Sequence, residues 1–212
     1  MKLLFILLLG LGFTQGDSSK HPYGKNTENW YTLWGLGPSF TNNFCNESLD
    51  WGAYNCSDNS SSIAGEWFGF YKHISANGII GVVLTSKYDS WRNDNRGIDP
   101  FGNSIDFGSS SYNYYQNLYS LSYINYIKNF GKGPYIRIDF GAAENYMRYI
   151  YKYAFYDIDN KTESDWGLGS SVGVGYSFDF TKIRILIGLY ATANFFKDKN
   201  ESYLNLIISS LF

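Results

Sequence analysis

Apolar residues alternate one by one with polar or small residues along most of this chain, the period of a β-strand rather than a helix. The pattern is clearest over 183–195, where Ile183, Ile185, Ile187, Leu189, Ala191, Ala193 and Phe195 share one face. Lys182, Arg184, Gly188, Tyr190, Thr192 and Asn194 share the other, with Leu186 as its single apolar member. Segment 166–178 sets Trp166, Leu168, Val172, Val174, Tyr176 and Phe178 against glycines and serines. Segment 135–142 sets Ile136, Ile138, Phe140 and Ala142 against Tyr135, Arg137, Asp139 and Gly141. Five noisier segments, 30–40, 66–75, 79–88, 114–127 and 203–212, follow the same rule and bring the predicted strands to eight.

The connections are of two kinds. Those around Ala76-Asn77, Phe130-Gly131 and Phe180-Thr181 are short and turn-like. Segments 41–64, 89–113, 147–165 and 196–202 are longer and polar, rich in Asn, Ser and Asp, and read as loops. Long and short connections alternate, so in an antiparallel array all four long loops fall at one end. No shift of composition marks a second domain.

Period alone does not say which face points inward. The faces opposite the apolar ones are small, Gly and Ser, and poor in the Lys and Glu of a solvated surface. Trp30, Trp67, Tyr88, Tyr115, Trp166, Phe178 and Phe195 recur near predicted strand ends, as girdles of rings at two lipid–water boundaries would. Each predicted strand spans about ten residues, the length a tilted strand needs to cross a bilayer. In lipid an open sheet edge cannot be satisfied, so the array must close. The expected architecture is all-β: an eight-stranded antiparallel up-and-down transmembrane β-barrel over 30–212, with the apolar faces outward. The soluble eight-stranded alternative is a lipocalin, which would add a helix after the barrel.

Composition narrows the field further. Of 212 residues, 20 are Tyr, 16 Phe, 6 Trp and 22 Gly. A mean hydropathy of −0.27 excludes a bundle of membrane helices, and the formal net charge of −2 leaves no basic footprint for nucleic acid. The one long apolar run, Leu3 to Phe13 after Lys2, has the layout of a secretory leader, with cleavage expected before Asp17. Residues 1–16 are then the leader and 17–29 an N-terminal segment. Cys45 and Cys56 are the only cysteines; in an exported chain they read as a disulfide, the other reading being two thiols.

Chemistry-bearing residues are few. Arg137, Asp139, Lys182 and Arg184 fall on inward faces toward the short-turn end, with Asp179 nearby. They read as a salt-bridged lumen cluster, or alternatively as a site for an anionic ligand. Glu144 would face outward by strict alternation from Ile136, unless a bulge at Ala142-Ala143 turns it in. Asp157 to Asp165 has the composition of a calcium loop but lacks its Gly and closing Glu. No metal or other cofactor is expected.

The leader, the alternating connections and the terminal strand from Tyr203 to Phe212 together resemble the small eight-stranded bacterial outer-membrane barrels of the OmpA/OmpX type. Leu204, Leu206, Ile208 and the final Phe212 are similar to the C-terminal assembly signal of such proteins, with Ser210 departing from the pattern. The resemblance implies a monomer in the bacterial outer membrane, in contact with its lipid and with the barrel assembly machinery. It implies a non-enzymatic envelope-structural or surface-interaction role, or else a narrow conduit for small solutes. His73-Ile74-Ser75 is also similar to the His-x-Ser motif of outer-membrane lipid A deacylases, which implies a catalytic base and nucleophile. The other reading is a lumen-facing His beside a turn Ser.

Overall fold

The computed structural model describes residues 30–40, 61–98, 101, 104–128, 130–153, 156–161, 165–180, 183–198 and 200–212. The leader, the N-terminal segment, Cys45, Cys56 and Lys182 lie outside them. The elements are β1 (Trp30–Phe40), β2 (Ser61–Ser75), β3 (Gly78–Ile98), β4 (Ser104–Tyr126), β5 (Gly133–Tyr153), β6 (Tyr156–Lys161), β7 (Asp165–Phe180), β8 (Ile183–Phe195) and β9 (Asn200–Leu211).

Each of β2, β3, β4, β5, β7 and β8 pairs antiparallel with its neighbours, and β1 pairs with both β2 and β9. The sheet is therefore a closed eight-stranded antiparallel barrel, with β6 attached only to the far part of β5. Thr32 and Phe212 exchange backbone hydrogen bonds of 3.2 and 3.0 Å where the first and last strands meet.

The alternation sorts as expected. Along β9, Leu204, Leu206 and Ile208 are exposed while Tyr203, Asn205, Ile207, Ser209 and Leu211 are buried. Along β7 and β8, Val172, Val174, Ile187 and Leu189 face out, and Ser171, Ser177, Leu186, Tyr190 and Asn194 face in. A wall that exposes Leu, Ile, Val, Phe and Trp around a partly polar interior inverts the arrangement of a water-soluble barrel.

One expectation is corrected. The segments 89–113 and 147–165 are not simple polar loops. Strands β3 and β4 stay paired from Ser90↔Asn113 to Ile98↔Ser104, and β5 runs on to Tyr153 with β4 on one side and β6 on the other. Likewise β2 starts at Ser61 and β9 at Asn200, inside the expected loops. The strands are accordingly not all about ten residues long: β3, β4 and β5 have 21, 23 and 21. Above the barrel they form a four-stranded extension, β3-β4-β5-β6, rising by about 25 Å beyond Ser90 at ~3.3 Å per residue.

Of the two placements open for Glu144, the structure takes the outward one. Pairing of β4 with β5 is continuous through Ala142, Ala143 and Glu144, so no bulge turns Glu144 inward. A bulge occurs instead in β2, between Glu66 and Phe68. It leaves Trp67 and Phe68 both exposed and turns Glu66 into the lumen, where it is 1% exposed.

Candidate functional site

The lumen is filled in three layers. At the short-turn end, Leu33, Tyr71, Ile79, Ile124, Tyr126, Tyr135, Leu186 and Leu211 form an apolar and aromatic floor. Phe130, from the β4–β5 connection, is tucked into it. Its ring lies 5.1 Å from that of Tyr31, 4.5 Å from His73 and 5.4 Å from Tyr126. The next residue, Gly131, has φ +78°, and a Cβ there would meet Arg184 Nε at 2.0 Å. Only glycine combines that backbone turn with that contact. Arg184 in turn stacks on Phe130 at 4.6 Å and Tyr31 at 5.4 Å, and reaches Asp179 at 3.8 Å.

The middle layer is ionic. Arg137, 1% exposed, donates from Nε to Asp139 Oδ1 at 2.9 Å and from Nη1 to Glu66 Oε1. Ser209 Oγ donates to the other oxygen of Glu66, and the guanidinium lies 5.1 Å over the Tyr190 ring. The Tyr190 and Tyr135 hydroxyls are 2.7 Å apart. These rings need glycine walls: a Cβ on Gly173 would stand 2.1 Å from Tyr190 Cδ1. A buried guanidinium is tolerable here because two carboxylates and a ring face surround it.

Toward the long-strand end, Lys87 Nζ donates to Asp89 Oδ2 at 2.5 Å and lies 5.2 Å over the Tyr203 ring. Tyr114 OH donates to Glu201 Oε1 at 2.7 Å. Asn145, Asn194 and Asn205 are buried here, their side-chain amide atoms without a hydrogen-bond partner among the described residues. Buried amides of this kind are ordinarily met by ordered water.

The expected lumen cluster is thus two clusters. Arg137 and Asp139 meet Glu66, which alternation did not place inside, while Asp179 and Arg184 pair separately at the mouth. His73 and Ser75 are brought no closer by the fold. Pairing is irregular between them, Ser75 is exposed, and His73 Nε2 is buried without a hydrogen-bond partner. His73 shares the Phe130 ring with Arg184, and no hydrogen bond or ion pair joins it to a carboxylate among the described residues.

Glu144 stands on the outer wall. Its Oε2 accepts from Asn117 Nδ2 at 3.2 Å and from Tyr119 OH at 3.0 Å, and Ser86 Oγ donates to Asn117 Oδ1 at 2.6 Å. Below this network the outward residues of β3, β4 and β5 are apolar: Val82, Leu121 and Phe140 are 55%, 58% and 60% exposed. Above it a ladder of rings runs from Tyr88 through Tyr115 to Tyr146, with centroids 4.9 and 5.4 Å apart. Tyr88 OH and Ser90 Oγ donate to Asn113 there. The transition from apolar to polar thus falls at the same level on three adjacent strands.

No protein-family model matches the chain, and no curated protein matches it in sequence. Solved structures similar to it include Ail, the attachment invasion locus protein of Yersinia pestis, at 10% identity and a TM-score of 0.44, covering 86% of this chain and 97% of that one. Neisserial surface protein A is similar at 11% identity and a TM-score of 0.41, covering 86% and 95%. The N-terminal β-barrel domain of Pseudomonas aeruginosa OprF is similar at 12% identity and a TM-score of 0.41, covering 87% and 98%.

Proposed function

We propose that the protein is a non-enzymatic barrel of the bacterial outer membrane that serves as an envelope-structural or surface-interaction element. The observation that carries this reading is the combination of an apolar outer wall, a filled lumen and a tall sheet extension at one end only. The wall is suited to lipid, and the extension supplies protein surface outside it. The short turns then face the periplasm and the β3–β6 extension faces the cell exterior. Residues 1–16 act as the export leader, and Leu204, Leu206, Ile208 and Phe212 present the terminal strand to the assembly machinery. Within the extension, β3 beyond Ser90 and the outer side of β6 are strand edges among the described residues. Edges of this kind accept a further strand from another surface by backbone pairing.

The test begins with the chain purified from an outer-membrane fraction and examined by gel mobility before and after boiling. A closed barrel migrates differently when unheated, and proteolysis of intact cells cuts the extension while sparing the wall. Absence of the mobility shift, or fractionation with soluble protein, overturns the reading.

A further inference from the structure

Three tyrosines stand side by side on the outer wall where the sheet extension leaves the barrel. Tyr88 of β3 is directly opposite Tyr115 of β4, and Tyr115 is directly opposite Tyr146 of β5. Their ring centroids are 4.9 and 5.4 Å apart, with interplanar angles of 41° and 34°. At that separation and tilt, neighbouring rings touch along their edges. All three are half-buried. A groove of 390 Å³ lies against Tyr88 and Tyr115, many times the ~30 Å³ share of a water molecule, so small solutes reach the rings. The tyrosines of the lumen are arranged differently. Tyr135 and Tyr190 meet through their hydroxyl oxygens, 2.7 Å apart, and are buried.

We propose that Tyr88, Tyr115 and Tyr146 form an oxidative cross-linking site, at which one-electron oxidants from the aqueous side convert Tyr115 and one neighbour into a dityrosine. Each phenol gives one electron to the oxidant and its hydroxyl proton to water. The two radicals carry spin on the ring carbons ortho to oxygen, and a carbon–carbon bond forms between one such carbon of each ring. Water then carries the hydrogen of each bonded carbon to its oxygen, and both rings are aromatic phenols again. In sum the chain loses two hydrogens, and two equivalents of oxidant, such as hydroxyl radical, are reduced. Holding the rings in contact makes the pairing of radicals an intramolecular step. As the middle ring, Tyr115 takes part in either product. The bond ties β4 to β3 or to β5 at the foot of the extension, where the barrel wall ends. This chemistry goes beyond the proposed envelope role and does not depend on it.

The full chain, folded in detergent micelles, is illuminated with ruthenium tris-bipyridyl and persulfate, which together generate tyrosyl radicals. Products are read by dityrosine fluorescence and by mass spectrometry of proteolytic peptides. The expected result is monomeric chains lacking two hydrogens, with peptides joined at Tyr88–Tyr115 or Tyr115–Tyr146. Tyr115→Phe, which keeps the ring but not the phenol, is expected to lose most of the fluorescence. Tyr119→Phe, whose ring stacks on Trp166, is expected to retain it. Chains unfolded by boiling in dodecyl sulfate before illumination are expected to lose the joined peptides. Undiminished fluorescence in Tyr115→Phe overturns the proposal, as do equal yields from the boiled chains. Joined peptides that map mainly to other tyrosines, or that link separate chains, overturn it as well.

Discussion

Glu66 and Arg137, 71 residues apart in sequence and on strands that do not pair, meet inside the barrel with their side chains 1% exposed. The contact exists because the β2 bulge reverses the facing of one residue. Removing Arg137 leaves Glu66 and Asp139 buried without their cation, whereas removing Glu66 leaves Arg137 with Asp139 alone. Arg137→Ala is expected to destabilise the barrel by about 3–5 kcal/mol, measured by urea unfolding in detergent, and Glu66→Ala by less. The triple replacement Glu66→Leu/Arg137→Met/Asp139→Leu is expected to recover much of the Arg137→Ala loss.

The bulge itself is testable by deletion. Without Trp67 the strand regains strict alternation, with Phe68 still outward and Glu66 still facing the lumen. The expected outcome is a barrel that still assembles in gel mobility, whereas deletion of Val174 from the regular part of β7, which turns half of that strand inside out, prevents assembly.

Gly173 leaves room for the Tyr190 ring, which stands 2.1 Å from where a Cβ would be. Gly173→Ala is expected to cost about 1–3 kcal/mol through displacement of that ring. Tyr190→Leu in the same chain relieves the crowding, so the two losses measured separately should sum to more than the loss in the double variant.

An arginine placed on the outer wall should report depth. Val172→Arg, 54% exposed in the wild type and amid the apolar part of β7, is expected to cost about 2–4 kcal/mol in lipid. Trp166→Arg, at the level of Glu144 through their pairing, is expected to cost no more than about 1 kcal/mol beyond the lost ring burial. Equal costs at both sites in vesicle refolding titrations would show that Trp166 is not at a boundary.

The floor around Phe130 and the ionic layer around Arg137 obstruct the lumen in series. Planar-bilayer recordings of the wild-type protein are expected to show no discrete current steps. Phe130→Ala is expected to remain silent as well, since the ionic layer is untouched.

Strands β7, β8 and β9 were readable from sequence almost residue by residue, because lipid-facing and lumen-facing sides differ sharply in chemistry. The upward continuations of β3, β4 and β5 were not. Segment 89–113 is mostly Ser, Asn, Asp, Gly and Arg, so period two has little apolar signal there to reveal. Asp89 was missed for the same reason, being assigned to a loop although it pairs with the lumen-facing Lys87. Glu66 escaped because alternation extrapolated from Phe68 assigns it the outer face. The clue was present in the adjacent Trp67-Phe68, two bulky rings in a row where one residue of the pair should have been small or polar. Arg137, Asp139 and Tyr190 were placed inside by alternation alone, but their partners depend on register across the lumen, which local sequence does not encode.

The seam between Thr32 and Phe212 carries a temporal consequence. Because β1 and β9 come from opposite ends of the chain, seven strands must wait with two raw edges until the last one is available, and the closing contacts are those of greatest sequence separation. Such contacts form late and slowly. A polypeptide cut short by even its final strand therefore lacks the element that seals the wall, so completeness of synthesis is checked by geometry before the barrel can exist.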